Sequence, residues 1–293
     1  MSPVAFVIDI HYHLGWINLQ GMIMAIDKAS KQNGYQIPAD LLQPLWLRSR
    51  ESLVDNGLVY DPVAARACQS CQLAPECLSG DINQKQLLHA TLTWLCDQKV
   101  SEFIKHNPDG WIVNVGAGLD TRFYRVDNGR CNWFELDVTE NLLWRQKLFH
   151  NSERYHHMCG SVDDLSWLEK LPIPEKAPVM IVCEYALLDC CEQQIAKFVQ
   201  ALGCFFDSAR ACVVLAGDLS HSNLGQKMGS SRYAHGYKDT GEALLGYLPW
   251  ARWVKTFSPL ERHCTRWKLW QRWLTKIQFL QRRLTPVLVQ IRW

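Results

Sequence analysis

The stretch Trp111-Ile112-Val113-Asn114-Val115-Gly116-Ala117-Gly118-Leu119-Asp120-Thr121-Arg122-Phe123-Tyr124-Arg125 decides the fold class. Its apolar run, Ile112, Val113 and Val115, reads as a buried strand. The run ends in Gly116-Ala117-Gly118 and then the polar Asp120-Thr121-Arg122. A strand feeding a tight glycine turn is how an α/β sheet makes room for a nucleoside at its carboxyl edge. Glycine lets the backbone turn sharply and approach the ligand closely. A dinucleotide fingerprint would place a third glycine at position 121, where Thr121 stands. The turn therefore suits a nucleoside without a pyrophosphate, and S-adenosylmethionine is the candidate.

Working outward, the chain alternates strands and helices. Strands are expected at 111–115, 131–136, 155–159, 178–183 and 211–216. Helices are expected at 139–150, 163–171 and 193–204, with a helical turn at 120–125. Residues 253–257 and 287–293 read as an antiparallel edge, with a helix at 265–283 inserted between them. Upstream, residues 46–53 read as a helix stopped by Asp55-Asn56-Gly57. Asp61 as N-cap and Pro62 at the first helical position open another. Residues 85–105 place Leu87, Leu88, Leu92, Leu95, Val100 and Phe103 on one broad apolar face. The expected organisation is an N-terminal arm of unassigned role over 1–40, in which 21–30 reads as a short helix. A helical lid over 41–105 follows, then an α/β core over 106–293 with a C-terminal substrate-side insertion.

Composition narrows the class. The 293 residues are 48% hydrophobic and 20% charged, enough for a substantial core. Lys plus Arg is 31 against 29 Asp plus Glu, so nothing global points to nucleic acid as a partner. No run approaches a transmembrane span, and the start lacks the features of a signal peptide. The twelve cysteines, several in apolar runs, read as reduced thiols of a cytoplasmic protein. Cys68, Cys71 and Cys77 form the one metal-like cluster, but no second C-x-x-C or His pair lies nearby. No metal site is expected.

Acidic residues at strand ends are the next candidates. Asp137 ends a strand about twenty residues past the glycine turn, where an acid can accept both ribose hydroxyls. Glu135, two residues earlier, is its rival. Glu184 ends the apolar run 179–183, and a charge there calls for a partner. The tail 251–293 holds ten Lys or Arg and one acid, Glu261. In it Trp267, Trp270, Leu274 and Ile277 recur at helical spacing, read first as a core-facing stripe with a solvated basic face.

The segment Gly116–Arg122, preceded by Arg48-x-x-Glu51-Ser52 and Asp61-Pro62-x-Ala64, resembles the leucine carboxyl methyltransferase family. The resemblance covers about 45–220 and implies a class I methyltransferase: a seven-stranded, mostly parallel α/β sheet with an antiparallel edge and an N-terminal helical lid. S-adenosylmethionine is then the cofactor. Gly116, Ala117, Gly118 and Asp120 would form its first motif, and the family's E-x-D context favours Asp137 over Glu135 for the ribose. Asp164-Leu165 is similar to the family's adenine-binding pair, with Asp163 adjacent. Glu184 begins a segment similar to the family's E-x-x-L-x-Y, with Asp189 in place of the tyrosine. The family's carboxylate-binding Arg in the 85–105 helix aligns with Leu92, leaving His89 and Lys99 as the nearest basic residues.

The resemblance implies O-methylation, first of a small-molecule carboxylate. That acceptor is already ionised at neutral pH and needs no base. A phenol is the alternative, and it would need one, for which His156, His157, His221 and His235 are candidates. A protein C-terminus is the less favoured acceptor, because the chain is short. A catalytically silent nucleoside-binding scaffold is the competing class.

Overall fold

The computed structural model describes residues 36–71, 80–274 and 276–293. Seven strands form one sheet: β1 Trp111–Val115, β2 Asn132–Asp137, β3 Tyr155–Cys159, β4 Val179–Cys183, β5 Arg210–Leu215, β6 Trp253–Phe257 and β7 Val287–Arg292. Their order is β3-β2-β1-β4-β5-β7-β6. The first five are mutually parallel, and β7 runs antiparallel to both β5 and β6. The expected seven-stranded, mostly parallel sheet with an antiparallel edge is thus present, with β7 inside the edge rather than on it.

Central strands are apolar on both faces because helices cover both sides. One layer packs Val113, Val115, Ile181, Val213 and Val289 against helix Glu192–Phe205 through Ile195, Phe198 and Leu202. The opposite layer packs Ile112, Met180, Val182 and Leu288 against Leu88, Leu92, Leu95 and Phe103. The last four belong to α3, Ile82–His106. α1, Ala39–Glu51, and α2, Pro62–Gln69, complete the N-terminal helical layer. They share a third apolar cluster with Leu119 and Phe149. Asp61 caps α2, accepting the Ala64 N–H at 2.8 Å, and Asp81 caps α3.

Two expected helices differ. Over 163–171 only a 3-10 turn forms, at Leu168–Lys170. The hydroxyl of Ser161 accepts the N–H groups of Asp163 and Asp164, and Asp164 accepts that of Ser166. Such local bonds offer the backbone an alternative to a helix. The 265–283 helix is broken into a 3-10 turn at Cys264–Arg266 and short helices Leu269–Leu274 and Gln278–Gln281. Buried Gln271 accepts the Lys268 N–H and donates to Gln84 and the Lys227 carbonyl. These anchors override the apolar spacing. Trp267 is buried and Leu274 packs against the core, whereas Trp270 and Ile277 are exposed, so the stripe faces the core only in part. The expected helix at 21–30 lies outside the described residues.

Candidate cofactor cleft

Gly116 and Gly118 both adopt positive φ, 66° and 49°. A Cβ on Gly116 would sit 2.2 Å from the Cβ of Ala186. One on Gly118 would meet the Leu41 side chain at 3.3 Å. The first glycine is therefore fixed by conformation and close packing together. Beyond the turn lies a cleft of about 500 Å³, within the range of cofactor sites. It opens at the carboxyl ends of β1, β2 and β4, where parallel sheets bind ligands. α1 contributes Pro38, Leu41, Pro44 and Arg48 to its wall. A cavity of similar size, about 420 Å³, opens near Pro178, Ala209 and Arg292. It lies at the opposite end of β4 and β5, away from the glycine turn and every acidic strand end.

The cleft is strongly acidic. Asp40, Asp120, Asp137, Asp163, Glu184 and Asp189 line it, and Arg48 is its single Lys, Arg or His side chain among the described residues. Asp137 is held by three donors: Gly118 N–H at 2.6 Å, Val138 N–H at 2.8 Å and the Asn141 amide at 2.8 Å. Its rival Glu135 is fully buried away from the cleft, paired with Arg145 at 3.0 Å. Asn114 and the Trp133 indole also donate to it. Burial pushes the Glu135 carboxyl up to about 7, against the pull of Arg145.

Asp120 and Glu184 meet on Arg122, which is fully buried. Its guanidinium bonds Asp120 at 2.6 Å, Asp97 at 2.7 Å and Glu184. Burial would raise the Asp120 carboxyl, but Arg122 and Arg125 outweigh it and hold it well below its usual range. Arg125 bridges Asp97 and Asp61, and Asp61 also accepts from Arg48 at 3.1 Å and from Thr121. The Thr93 hydroxyl donates to Glu184 at 2.9 Å. One buried ionic network thus joins α1, α2, α3, the glycine turn and the end of β4.

Of the residues read from sequence, Gly116, Ala117, Gly118, Asp120, Asp137 and Glu184 line the cleft. Asp164 and Leu165 do not; Ser161, Val162 and Asp163 occupy that wall. Asp164 is exposed and bonded to Ser166, and Leu165 packs against the core. Asp189 is on the wall, its carboxyl raised by burial and by Asp40. Arg48 was legible only as part of the Arg48-x-x-Glu51-Ser52 signature, with no role attached. Lys99 pairs with Glu102 elsewhere. Cys68 and Cys71 are free thiols pushed up by burial to about 11 and about 12, and Cys77 lies outside the described residues.

The tetracenomycin polyketide synthesis O-methyltransferase TcmP of Streptomyces glaucescens is 27% identical over 89 residues. That match covers 30% of this chain and 32% of the relative, about a third of its length. The crystal structure of a DUF574 family protein from Streptomyces avermitilis superposes with a TM-score of 0.51 at 10% identity, covering 71% of this chain and 84% of that one. Magnesium protoporphyrin IX methyltransferase from Synechocystis, solved with bound SAH, gives a TM-score of 0.45 at 12% identity, over 84% of this chain and 92% of that one. The family model described as leucine carboxyl methyltransferase matches residues 42–258, which hold every strand but β7. The chain belongs to the leucine carboxyl methyltransferase family of S-adenosylmethionine-dependent enzymes.

Proposed function

We propose that the chain transfers the methyl group of S-adenosylmethionine to an oxygen of a small molecule. The observation that carries this is the acid-lined cleft beyond a positive-φ glycine turn, with one arginine at its wall. A sulfonium is a cation, and Asp40, Asp137, Asp163 and Asp189, which unlike Asp120 and Glu184 are not paired with a buried arginine, favour it by simple Coulomb attraction. Asp137 takes the ribose hydroxyls, since it faces the cleft and Glu135 does not. Ser161, Val162 and Asp163 flank the adenine in place of Asp164-Leu165. Arg48 takes the amino-acid carboxylate that the aligned Leu92 cannot hold. The cofactor supplies an activated methyl group; the protein's part is to align it with the acceptor and exclude water.

The charge distribution also bears on the acceptor. With Arg48 engaged, a carboxylate acceptor would approach Asp40, Asp137, Asp163 and Asp189 without a free cationic partner on the cleft wall. This supports a neutral hydroxyl over the carboxylate implied by the family resemblance. The test has two stages. Calorimetry with S-adenosylmethionine should show one site per chain, and absence of binding would overturn the reading. Incubation with a mixed pool of small carboxylic acids and phenols, read by mass spectrometry, should give a methylated product stable to mild base. A base-labile product is an ester and would restore the carboxylate.

A further inference from the structure

A second, smaller cavity adjoins the cleft and shares Pro44 and Tyr185 with it. Its volume is about 160 Å³. A dry cavity of about 150 Å³ is enough for one benzene ring. Leu47, Leu88, Leu92 and Leu188 line it, with the rings of Tyr185 and Tyr233. Lys85 stands at its wall, and His89 is the single titratable base buried in it. The Tyr185 hydroxyl and His89 Nδ1 are 2.5 Å apart, and the two rings stack with centroids 5.1 Å apart. The other ring nitrogen, Nε2, is buried and makes no well-formed hydrogen bond. In the tautomer with its proton on Nε2, the ring presents a bare Nδ1 to Tyr185. Nδ1 is then the acceptor, and the Tyr185 O–H donates to it. The Tyr185 oxygen keeps lone pairs to offer and has no second proton.

We propose that this cavity is the methyl-acceptor subsite, that it takes a single-ring phenol, and that Tyr185 and His89 hold the acceptor hydroxyl and carry its proton away. The inference rests on the methyltransferase reading above. Tyr185 is the catalytic residue, because among the described residues it is the one polar side chain that lines both spaces; His89 acts through it. As the acceptor oxygen bonds the methyl carbon, the methyl–sulfur bond breaks and its electron pair stays on sulfur. The acceptor proton passes to the Tyr185 oxygen, and the Tyr185 proton to His89 Nδ1. A phenol donates to the tyrosine oxygen; a carboxylate would only meet its lone pairs. The surroundings keep both partners neutral beforehand. Burial lowers the basicity of His89, as do Arg48 and Arg125, while Asp120 opposes them. Burial, then Glu184 and Tyr233, keep Tyr185 protonated against Arg48 and Thr93.

The test is binding to the full chain loaded with S-adenosylhomocysteine, which cannot donate methyl. Phenol and benzoate are titrated by calorimetry, and toluene by ligand-observed NMR. Phenol should bind about tenfold more tightly than toluene or benzoate, as one hydrogen bond between neutral groups warrants. Tyr185→Phe should erase the preference of phenol over toluene while leaving toluene binding intact. Leu92→Trp should fill the cavity and abolish phenol binding with S-adenosylhomocysteine affinity unchanged. His89→Gln, which still offers an acceptor to Tyr185, should retain the phenol preference that His89→Leu loses. Benzoate binding more tightly than phenol, through Lys85, would overturn the assignment of a phenol. Failure of phenol to bind, or its survival in Leu92→Trp, would overturn the subsite. If S-adenosylhomocysteine itself fails to bind, the methyltransferase reading falls, and phenol binding to the unloaded chain still tests the cavity.

Discussion

Asp137 and Glu135 stand two residues apart on one strand, and they predict opposite phenotypes. Asp137→Ala removes a charged acceptor from the cleft, where hydrogen bonds to charged groups are worth roughly 1.5–3 kcal/mol. The S-adenosylmethionine Kd should rise about ten- to a hundred-fold, measured by calorimetry on the folded protein, beside the stability lost as the Gly118 and Val138 N–H groups and the Asn141 amide lose their acceptor. Glu135→Ala leaves Arg145 buried without its carboxylate, and breaking such a pair costs roughly 3–5 kcal/mol. Urea denaturation should show that loss, while Kd in the folded fraction changes little. Equal effects on Kd would return the ribose role to Glu135. Gly118→Val forces a β-branched residue into positive φ beside Leu41 and should weaken cofactor binding with the circular dichroism spectrum intact. At this scale the sequence spoke where a residue type is demanded by backbone geometry or by a strand end, as at Gly116 and Asp137. It gave Arg48 no role and offered His89 only as a basic residue near the cofactor carboxylate, because the partners of both lie on elements distant in the chain. It did not separate Asp163, which lines the cleft, from Asp164, which does not, because the two differ only in their place on the turn that Ser161 imposes.

Among elements, α1 and α2 owe their seat to charge as much as to apolar contact. Asp61 caps α2 and also receives Arg48, Arg125 and Thr121. Asp61→Ala should cost the cap, about 1 kcal/mol, together with the burial of two arginines short of a partner. We expect a loss of roughly 3–5 kcal/mol by denaturant unfolding, and weaker cofactor binding as Arg48 loses its anchor. A variant with unaltered Kd would separate Arg48 from the cofactor. The strands β1, β3 and β6 follow their apolar runs to the residue, and α3 exceeds its predicted span by only a few positions. Periodicity fails where side chains bind backbone: the Ser161 turn and the Gln271 anchor both replace a helix that spacing alone would draw.

Stability of the whole molecule should depend on pH through its buried titrating groups. Burial lowers the basicity of His89, His157, His235 and His263, that of His157 to about 3. The unfolded chain protonates these rings below about 6.5, so their contribution is full above that pH and lost as pH falls. Glu135 acts in the other sense: with its folded carboxyl at about 7, its contribution is full below about 4.5 and lost as pH rises through 7. The raised Asp189 carboxyl acts in the same sense as Glu135, and with four rings opposing these two carboxyls Tm should rise from pH 5 to about 6.5 and then level. A Tm that falls over that interval would mean that Glu135 dominates. Asp120 adds a further loss below about pH 4, since its folded carboxyl lies below the unfolded value. The sheet order carries one more consequence, for biosynthesis. β5 is paired on one side by β4 and on the other by β7, which follows it by some seventy residues and is the last strand among the described residues. While the ribosome is still making residues 216–286, β5 offers a bare apolar edge, and β6 has no neighbour at all. The nascent chain therefore waits on β7 with a sticky border open to other chains, and deletion of residues 287–293 should yield aggregated product rather than a smaller folded one.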